Sequence, residues 1–353
     1  MTSWPASTRV RATCAPMNPA APVTRILTIV NLRLQPVFSP LGRHSARPSK
    51  FRSAMNSVRN RLGFGVTGPL AAHWYADGEA VRAIEVAIDN GIGAFDAGPF
   101  YGGGLGEARL GKALAGKGDG VAVFSKCGTI RERFGRTRKD FSAAAIRRDV
   151  EGSLRRLRRE AIDVLYLHGP SRAQMAPGLE GLARLKDEGK IRRCGICTET
   201  ALAMDAVNAG AEALMTPYNF LNRKAAAAIE RAKALGRHVV AIAPLAQGVY
   251  APGYAALSRP ADIWKRLRSV RRTPRLAAAA QEVRAAMMAA TDRRPLTSAA
   301  LGYVLASDAV DIAVFTTTRR ERIPELVAAT PLSQGECAAL AAIAGQVGLE
   351  IEG

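Results

Sequence analysis

The sequence predicts an α/β protein, a single (β/α)8 TIM barrel that follows a disordered amino-terminal extension. From Arg61 onward, short apolar runs alternate eight times with amphipathic helical stretches over roughly 270 residues. This repeat favours a closed barrel over an open doubly wound sheet. The chain has 353 residues, of which 48% are hydrophobic and 23% charged, and this is enough to bury the core of one barrel.

The amino-terminal stretch differs in composition from the rest. Residues 1–57 are rich in Pro, Ala, Ser and Arg and show no sustained period. We predict that they form a disordered or artefactual basic extension, with true initiation near Met55, and that residues 58–353 form the barrel. A mitochondrial transit peptide has a similar composition and is the lesser alternative.

Eight apolar runs predict the barrel strands. They are Leu62–Val66, Ala94–Asp96, Val121–Ser125, Ile162–His168, Ile191–Cys197, Ala213–Thr216, Val239–Ala243 and Ile312–Phe315. Helical patterns lie between or after them, at 77–90, 105–115, 142–158, 178–188, 200–208, 222–235, 275–291 and 319–328. The third pattern is the clearest, because Ser142 suits an N-cap and Ile146 and Val150 begin a stripe on one face. Residues 244–274 form the longest predicted connection, and long loops after barrel strands build the mouth of an active site.

The net charge of +20 is unevenly distributed. Residues 1–76 contain ten Arg and Lys and no Asp or Glu, while the remainder has 40 basic and 30 acidic residues. The basic residues of the predicted barrel are spread over many helices and form no stripe with interleaved aromatics, so we expect no nucleic-acid partner. No run approaches the roughly 18 apolar residues of a spanning helix, so we expect no membrane partner either.

The cysteines indicate a reducing, cytoplasmic setting. Five are scattered along the chain, and this number and spacing do not suggest a disulfide framework. Cys194 and Cys197 form a C-x-x-C, but no second pair completes a zinc site, and in a strand the two side chains point to opposite faces. We predict no metal site.

A glycine motif near the start of the barrel needs separate interpretation. Gly63, Gly65 and Gly68 match the G-x-G-x-x-G fingerprint of dinucleotide-binding folds. Pro69 follows directly, and Glu85, the acid at the expected distance, lies inside a helical pattern. We therefore interpret the segment as the first barrel strand and reject a Rossmann domain.

Four polar side chains at the ends of successive predicted strands form one constellation. Asp96 and Tyr101 follow the second strand, Lys126 the third, and His168 ends the fourth. A phenol can protonate the alkoxide that forms during carbonyl reduction, and a neighbouring ammonium brings the phenol pKa of about 10 nearer neutral. A carboxylate keeps that ammonium charged, and a neutral imidazole orients the carbonyl.

This constellation resembles the aldo-keto reductases. The Asp and Tyr five residues apart, the Ser125-Lys126 context and the strand-ending His occur in the family's order, and the resemblance runs from about Arg61 to about Ala329. It implies that Tyr101 is the general acid/base, that Lys126 tunes it, that Asp96 holds Lys126, and that His168 orients the substrate oxygen.

The resemblance also implies a dinucleotide site. Thr317 and Arg322 align with the family's hydroxyl residue and Arg that hold the adenosine phosphate, and Arg319 or Arg320 is placed to compensate for a Lys that this chain lacks. NADP(H) is favoured on guanidinium chemistry and NAD(H) is the alternative. Further expected cofactor contacts are Cys197, Thr198, Pro244, Leu245 and Gly248.

The expected function is NAD(P)(H)-dependent oxidation or reduction of a small carbonyl compound or sugar. Gly104 to Glu107 after Tyr101 look most similar to the aldose dehydrogenase branch, and Trp74 and Trp264 are candidate walls of the substrate pocket. Met215 and Ile242 stand where the family often has a Gln and an aromatic residue at the nicotinamide. A non-catalytic, cofactor-sensing protein on the same barrel is therefore the alternative function, and the oligomeric state stays open.

Overall fold

The computed structural model describes residues 61–116, 120–131, 136–248, 250, 260–272 and 278–346. The predicted extension, residues 1–57, lies outside these residues.

Eight parallel strands close into a barrel, which confirms the predicted fold class. The barrel strands are β1 Leu62–Gly65, β2 Ala94–Asp96, β3 Ala122–Cys127, β6 Val164–His168, β7 Cys194–Cys197, β8 Ala213–Pro217, β9 His238–Ile242 and β10 Ile312–Phe315. They pair in the order β1, β2, β3, β6, β7, β8, β9, β10 and back to β1. Two further strands, β4 Thr129–Arg131 and β5 Thr137–Lys139, form a separate antiparallel hairpin. The glycine motif begins on β1, as predicted: Gly63 and Gly65 lie in the strand, and Gly68 begins the short 3-10 helix that follows it.

The barrel wall separates two apolar cores, because side chains alternate along each strand. Phe124 and Tyr166 belong to the smaller, interior core, where their rings meet edge to face with centroids 6.2 Å apart. Val123 and Leu165, one position away on the same strands, belong to the larger core between strands and helices. The barrel is therefore filled by side chains, and its working surface is at the strand ends.

Eleven α-helices accompany the strands in the described part of the chain. They are α1 Asp77–Asp89, α2 Leu105–Ala113, α3 Ala143–Leu157, α4 Arg172–Asp187, α5 Ala203–Asn208, α6 Ala226–Ala234, α7 Pro260–Arg272, α8 Ala280–Ala290, α9 Leu296–Leu305, α10 Ile323–Val327 and α11 Gln334–Gln346. Ser142 caps α3 as predicted, since its side chain accepts from the Ala145 amide at 3.3 Å. None of these helices is both long and apolar enough to cross a bilayer.

Four elements contradict or extend the predicted pattern. The β4–β5 hairpin, α9 and α11 were not predicted, and α7 occupies the end of the stretch predicted as a connection. Helix α9 is buried at nine of its ten residues. Because it is covered on nearly all sides, its sequence has no amphipathic pattern from which the helix could be predicted. Helix α9, rather than the predicted 275–291 helix, packs on β10.

Candidate active site

The structure brings the four predicted catalytic side chains to one mouth of the barrel. Asp96 ends β2, Lys126 lies in β3, and His168 ends β6. Tyr101 begins a short 3-10 helix, Tyr101–Gly104, directly after the β2 end. Parallel strands place all their carboxyl ends at one rim, so residues distant in sequence meet there.

Three consecutive glycines shape the turn that holds Tyr101. Gly102, Gly103 and Gly104 have φ values of 63°, 65° and 92°, which L side chains rarely adopt. A Cβ on Gly102 would lie 1.9 Å from the Ala71 carbonyl oxygen, so only glycine fits against the loop after β1.

Asp96 and Lys126 form a buried ion pair. The side chains are 4% and 2% exposed, and the Lys126 Nζ donates to Asp96 Oδ1 and, at 3.0 Å, to the Ala97 carbonyl. Burial alone would lower the pKa of Lys126, but the attraction of Asp96 raises it above its ordinary value. The ammonium is therefore charged at any physiological pH.

Tyr101 stays a phenol at neutral pH, which corrects the predicted pKa. The Lys126 ammonium lies 5.1 Å from the centre of the Tyr101 ring and lowers its pKa, as expected. Burial acts more strongly in the opposite direction and raises the pKa to about 12. The ammonium therefore offsets part of the effect of burial but does not bring the phenol near neutral.

His168 is a neutral imidazole held among aromatic rings. Its ring contacts Phe100 and Tyr101 edge to face, with centroids 5.6 Å and 5.9 Å apart. Burial, followed by the charges of Lys126 and Lys139, lowers its pKa to about 3. Its Nδ1 is buried and has no hydrogen-bond partner among the described residues.

Contacts from the β4–β5 hairpin around His168 were not predicted. Thr129 Oγ1 donates to the His168 carbonyl, and Lys139 Nζ donates to the Gly169 carbonyl. The Arg131 guanidinium lies 5.8 Å from the centre of the Phe100 ring. These partners are 30 to 39 residues apart where they are hydrogen-bonded, so no local sequence pattern could have indicated them.

A second buried network supports the strand that carries Lys126. Glu107, which is fully buried on α2, accepts from Ser125 Oγ at 2.6 Å and from Arg156 Nε at 2.7 Å. Ser125 directly precedes Lys126, and Arg156 belongs to α3. One carboxylate therefore joins β3 to two helices.

The expected cofactor residues at β7 and after β9 lie along the same rim. Cys197 is in register with His168 across the β6–β7 pair, and Thr198 follows it in a buried position. Pro244, Leu245 and Gly248 follow β9 in a turn that starts at Ala243, a non-glycine residue with φ 56°. The side-chain amide of Asn219 donates to the Ala243 carbonyl at 3.0 Å and so connects this turn to the segment after β8.

The expected phosphate-binding residues follow β10, and both arginines have acidic partners. Thr317 Oγ1 accepts from the Arg319 amide at 3.1 Å, and Arg319 pairs with Asp262 of α7 at 3.1 Å. Arg322 pairs with Glu325 at 3.1 Å and donates to Thr297 Oγ1 at 2.7 Å. The guanidinium groups are held in place, and their charge is partly balanced.

The two tryptophans lie near this segment. Trp74 lines a cavity of about 430 Å³ together with Thr318, Arg320 and the start of α7. Trp264 lies beside Gly68, with the Arg268 guanidinium 5.2 Å from the centre of its ring. Trp74 is therefore next to the expected cofactor segment.

The C-x-x-C pair is split by the barrel wall, as predicted. Cys194 belongs to the outer core and Cys197 to the interior core. Burial raises the pKa of each thiol to about 12, so neither is a thiolate at neutral pH.

Comparison with known proteins gives the family. The chain matches the model of the Aldo/keto reductase family over residues 61–344. It is 36% identical over 154 residues to an L-galactose dehydrogenase from Arabidopsis thaliana, covering 41% of this chain and 45% of that protein. It is 30% identical over 211 residues to a D-threo-aldose 1-dehydrogenase from a Pseudomonas species, covering 52% of this chain and 64% of that protein. The chain spans about half the length of several curated relatives that it matches.

A solved structure agrees with this result. The glycerol dehydrogenase from Gluconobacter oxydans superposes with a TM-score of 0.66 and 25% sequence identity, covering 81% of this chain and 91% of that one.

Proposed function

Because the chain belongs to the aldo/keto reductase family, as the tetrad predicted, we propose that it is an NAD(P)(H)-dependent oxidoreductase acting on a small carbonyl compound or the corresponding alcohol or sugar. The observation that carries the proposal is the buried Asp96–Lys126 ion pair beneath the Tyr101 ring, next to a neutral His168. The named activities of the relatives on aldoses and glycerol support this substrate class.

Each of the four side chains has a role that follows from its protonation state. Tyr101 is protonated at neutral pH and donates the proton that a developing alkoxide needs. Lys126 stabilises the phenolate left behind, and Asp96 keeps Lys126 charged and in place. His168 is neutral, so it orients the substrate oxygen by a hydrogen bond without competing as an acid.

The described residues fit a dinucleotide at this mouth. When bound, it supplies or accepts the hydride. Thr198 and Thr317 provide buried hydroxyl groups at the rim, and the Thr216 hydroxyl is buried at the β8 end without a hydrogen-bond partner among the described residues. The cavity lined by Trp74 and Arg320 leaves room beside the segment after β10.

We favour NADP(H) over NAD(H). Three guanidinium groups, of Arg319, Arg320 and Arg322, lie within four residues after Thr318, and a guanidinium fork suits a 2′-phosphate. Each of the three pairs with a carboxylate, of Asp262, Glu79 and Glu325 respectively. A phosphate must share these cations, so we expect a moderate preference for NADP(H).

The first test combines cofactor binding with loss of the proton donor. We expect Tyr101→Phe to lower turnover by about 10²- to 10⁴-fold on a panel of aldehydes and aldoses, because the general acid is removed. In fluorescence titrations we expect the Tyr101→Phe variant to bind NADPH and NADH, each with a dissociation constant within about twofold of the wild-type value for the same dinucleotide.

The matched control is Tyr166→Phe. The Tyr166 hydroxyl is buried inside the barrel without a hydrogen-bond partner among the described residues, so its removal should leave turnover unchanged. Equal, negligible turnover of the wild type and Tyr101→Phe despite cofactor binding would favour a cofactor sensor. Failure to bind either dinucleotide would overturn the oxidoreductase proposal.

A further inference from the structure

The β4–β5 hairpin gives one side of the mouth a positive charge. Its described residues, 129–131 and 136–140, contain four Arg and Lys and one acid. Among the described members, Arg131, Arg136 and Arg138 are exposed, and the Arg138 guanidinium lies 3.1 Å from the Asp140 carboxylate. The hairpin follows the strand that carries Lys126, so this charge lies beside the tetrad.

The Phe100 ring lies between Arg131 and the catalytic candidates Tyr101 and His168. Its guanidinium lies 5.8 Å from the centre of the Phe100 ring. That ring contacts His168 at 5.6 Å and Tyr101 at 6.0 Å between centroids. Contact with the Phe100 ring restrains an otherwise flexible cation beside Tyr101 and His168, the two residues proposed to hold the substrate oxygen.

Lys139 adds a second cation at a fixed position. Its ammonium is held on the carbonyl of Gly169, the residue after His168, and its charge is one of the causes that keep the imidazole neutral. The charge of Lys126, in contrast, is balanced by Asp96 at the buried side of the site. The described cations of the hairpin therefore add positive charge at the substrate side of the site.

We propose that the substrates of this site carry, besides the reacting carbonyl, an anionic group, a carboxylate or a phosphate, and that Arg131 and Lys139 receive it. The inference rests on the proposed oxidoreductase function and specifies its substrate class. A guanidinium on an aromatic face keeps its planar N–H edge available for an oxyanion, and that edge suits two parallel hydrogen bonds. The named substrates of two relatives, an aldose and glycerol, have no such charge.

The test compares aldehydes that differ in charge. Succinic semialdehyde against butanal tests the carboxylate, and glyceraldehyde 3-phosphate against glyceraldehyde tests the phosphate. For the wild type we expect kcat/KM to be at least tenfold higher for the anionic member of one or both pairs. Arg131→Gln should lower kcat/KM for that anionic substrate about tenfold and leave its neutral counterpart within twofold. High salt should reduce the same preference, because the charges are exposed.

The control variant is Arg148→Gln, which removes the same charge from the exposed face of α3. We expect this variant to leave kcat/KM unchanged for both aldehydes of each pair. Equal kcat/KM for anionic and neutral aldehydes in the wild type, or an equal loss for both in Arg131→Gln, would overturn the inference while leaving the oxidoreductase function standing.

A binding experiment tests the inference if none of these aldehydes is reduced. The cofactor-saturated protein should bind benzoate in preference to benzamide by calorimetry, and Arg131→Gln should abolish that preference. Indifference between the two ligands in the wild type would overturn the inference. Absence of NADPH and NADH binding would instead overturn the proposed function.

Discussion

Tyr101 carries the proton in the proposed reaction, and its pKa determines how each direction depends on pH. Burial raises that pKa to about 12, although Lys126 acts against it. Carbonyl reduction needs the phenol, which is present throughout the neutral range. Alcohol oxidation needs the phenolate, whose fraction rises tenfold per pH unit below the pKa.

We therefore expect kcat/KM for oxidation to rise about tenfold per pH unit between pH 7 and pH 10, and kcat/KM for reduction to stay flat. His168 adds no inflection in this range, since its pKa is about 3. Initial rates in both directions across this pH range check the expectation. A plateau of the oxidation profile below pH 9 would show that the ammonium lowers the phenol pKa to near neutral after all.

Helix α2 is joined to the catalytic strand through a single buried carboxylate. Glu107 accepts from Ser125 on β3 and from Arg156 on α3, and its own exposure is 0%. A carboxylate can accept both bonds, whereas a carboxamide turns a donor toward one of the two partners. The position of Lys126, one residue after Ser125, thus depends on the packing of two helices.

We expect Glu107→Gln to lower the free energy of unfolding by about 1.5 to 3 kcal/mol, the range for hydrogen bonds to charged groups. Urea denaturation measures this loss. Glu230→Gln on the exposed face of α6 is the control, and should stay within about 0.5 kcal/mol of the wild type. A similarly small change in Glu107→Gln would mean that the network does not hold these elements together.

The whole barrel buries two imidazoles in neutral form. Burial lowers the pKa of His168 to about 3 and that of His238 to about 4, from an ordinary value of 6.5. Below pH 6.5 the unfolded chain therefore takes up protons that the folded chain does not. The free energy of unfolding therefore rises with pH in this window and falls as the pH is lowered.

We expect the free energy of unfolding to fall as the pH is lowered from 6.5 to 5. Each buried imidazole contributes a slope that approaches about 1.4 kcal/mol per pH unit. Urea titrations at several pH values give the slope for the wild type and for His238→Gln, in which the slope should be shallower. His73→Gln removes an exposed imidazole and should keep the slope of the wild type. An unchanged slope in His238→Gln would contradict the assignment.

The barrel and the order of its polar strand ends were predictable from the amino-acid sequence. Apolar runs indicated every barrel strand, the stripe after Ser142 indicated α3 and its cap, and the arrangement of Asp96, Tyr101, Lys126 and His168 pointed to the family. These features were predictable because amphipathic period, strand length and capping are properties of neighbouring residues.

The properties that depend on the surroundings of a residue could not be predicted before the fold was known. Burial at the mouth set the pKa of Tyr101 opposite to the direction that Lys126 alone would give. Helix α9 is covered on all sides and so has no sequence period. Arg131 reaches Phe100, and Glu107 reaches Arg156, only because strands and helices far apart in sequence meet at one rim. Desolvation and long-range pairing are set by which elements the closed barrel brings together, and local sequence does not carry that information.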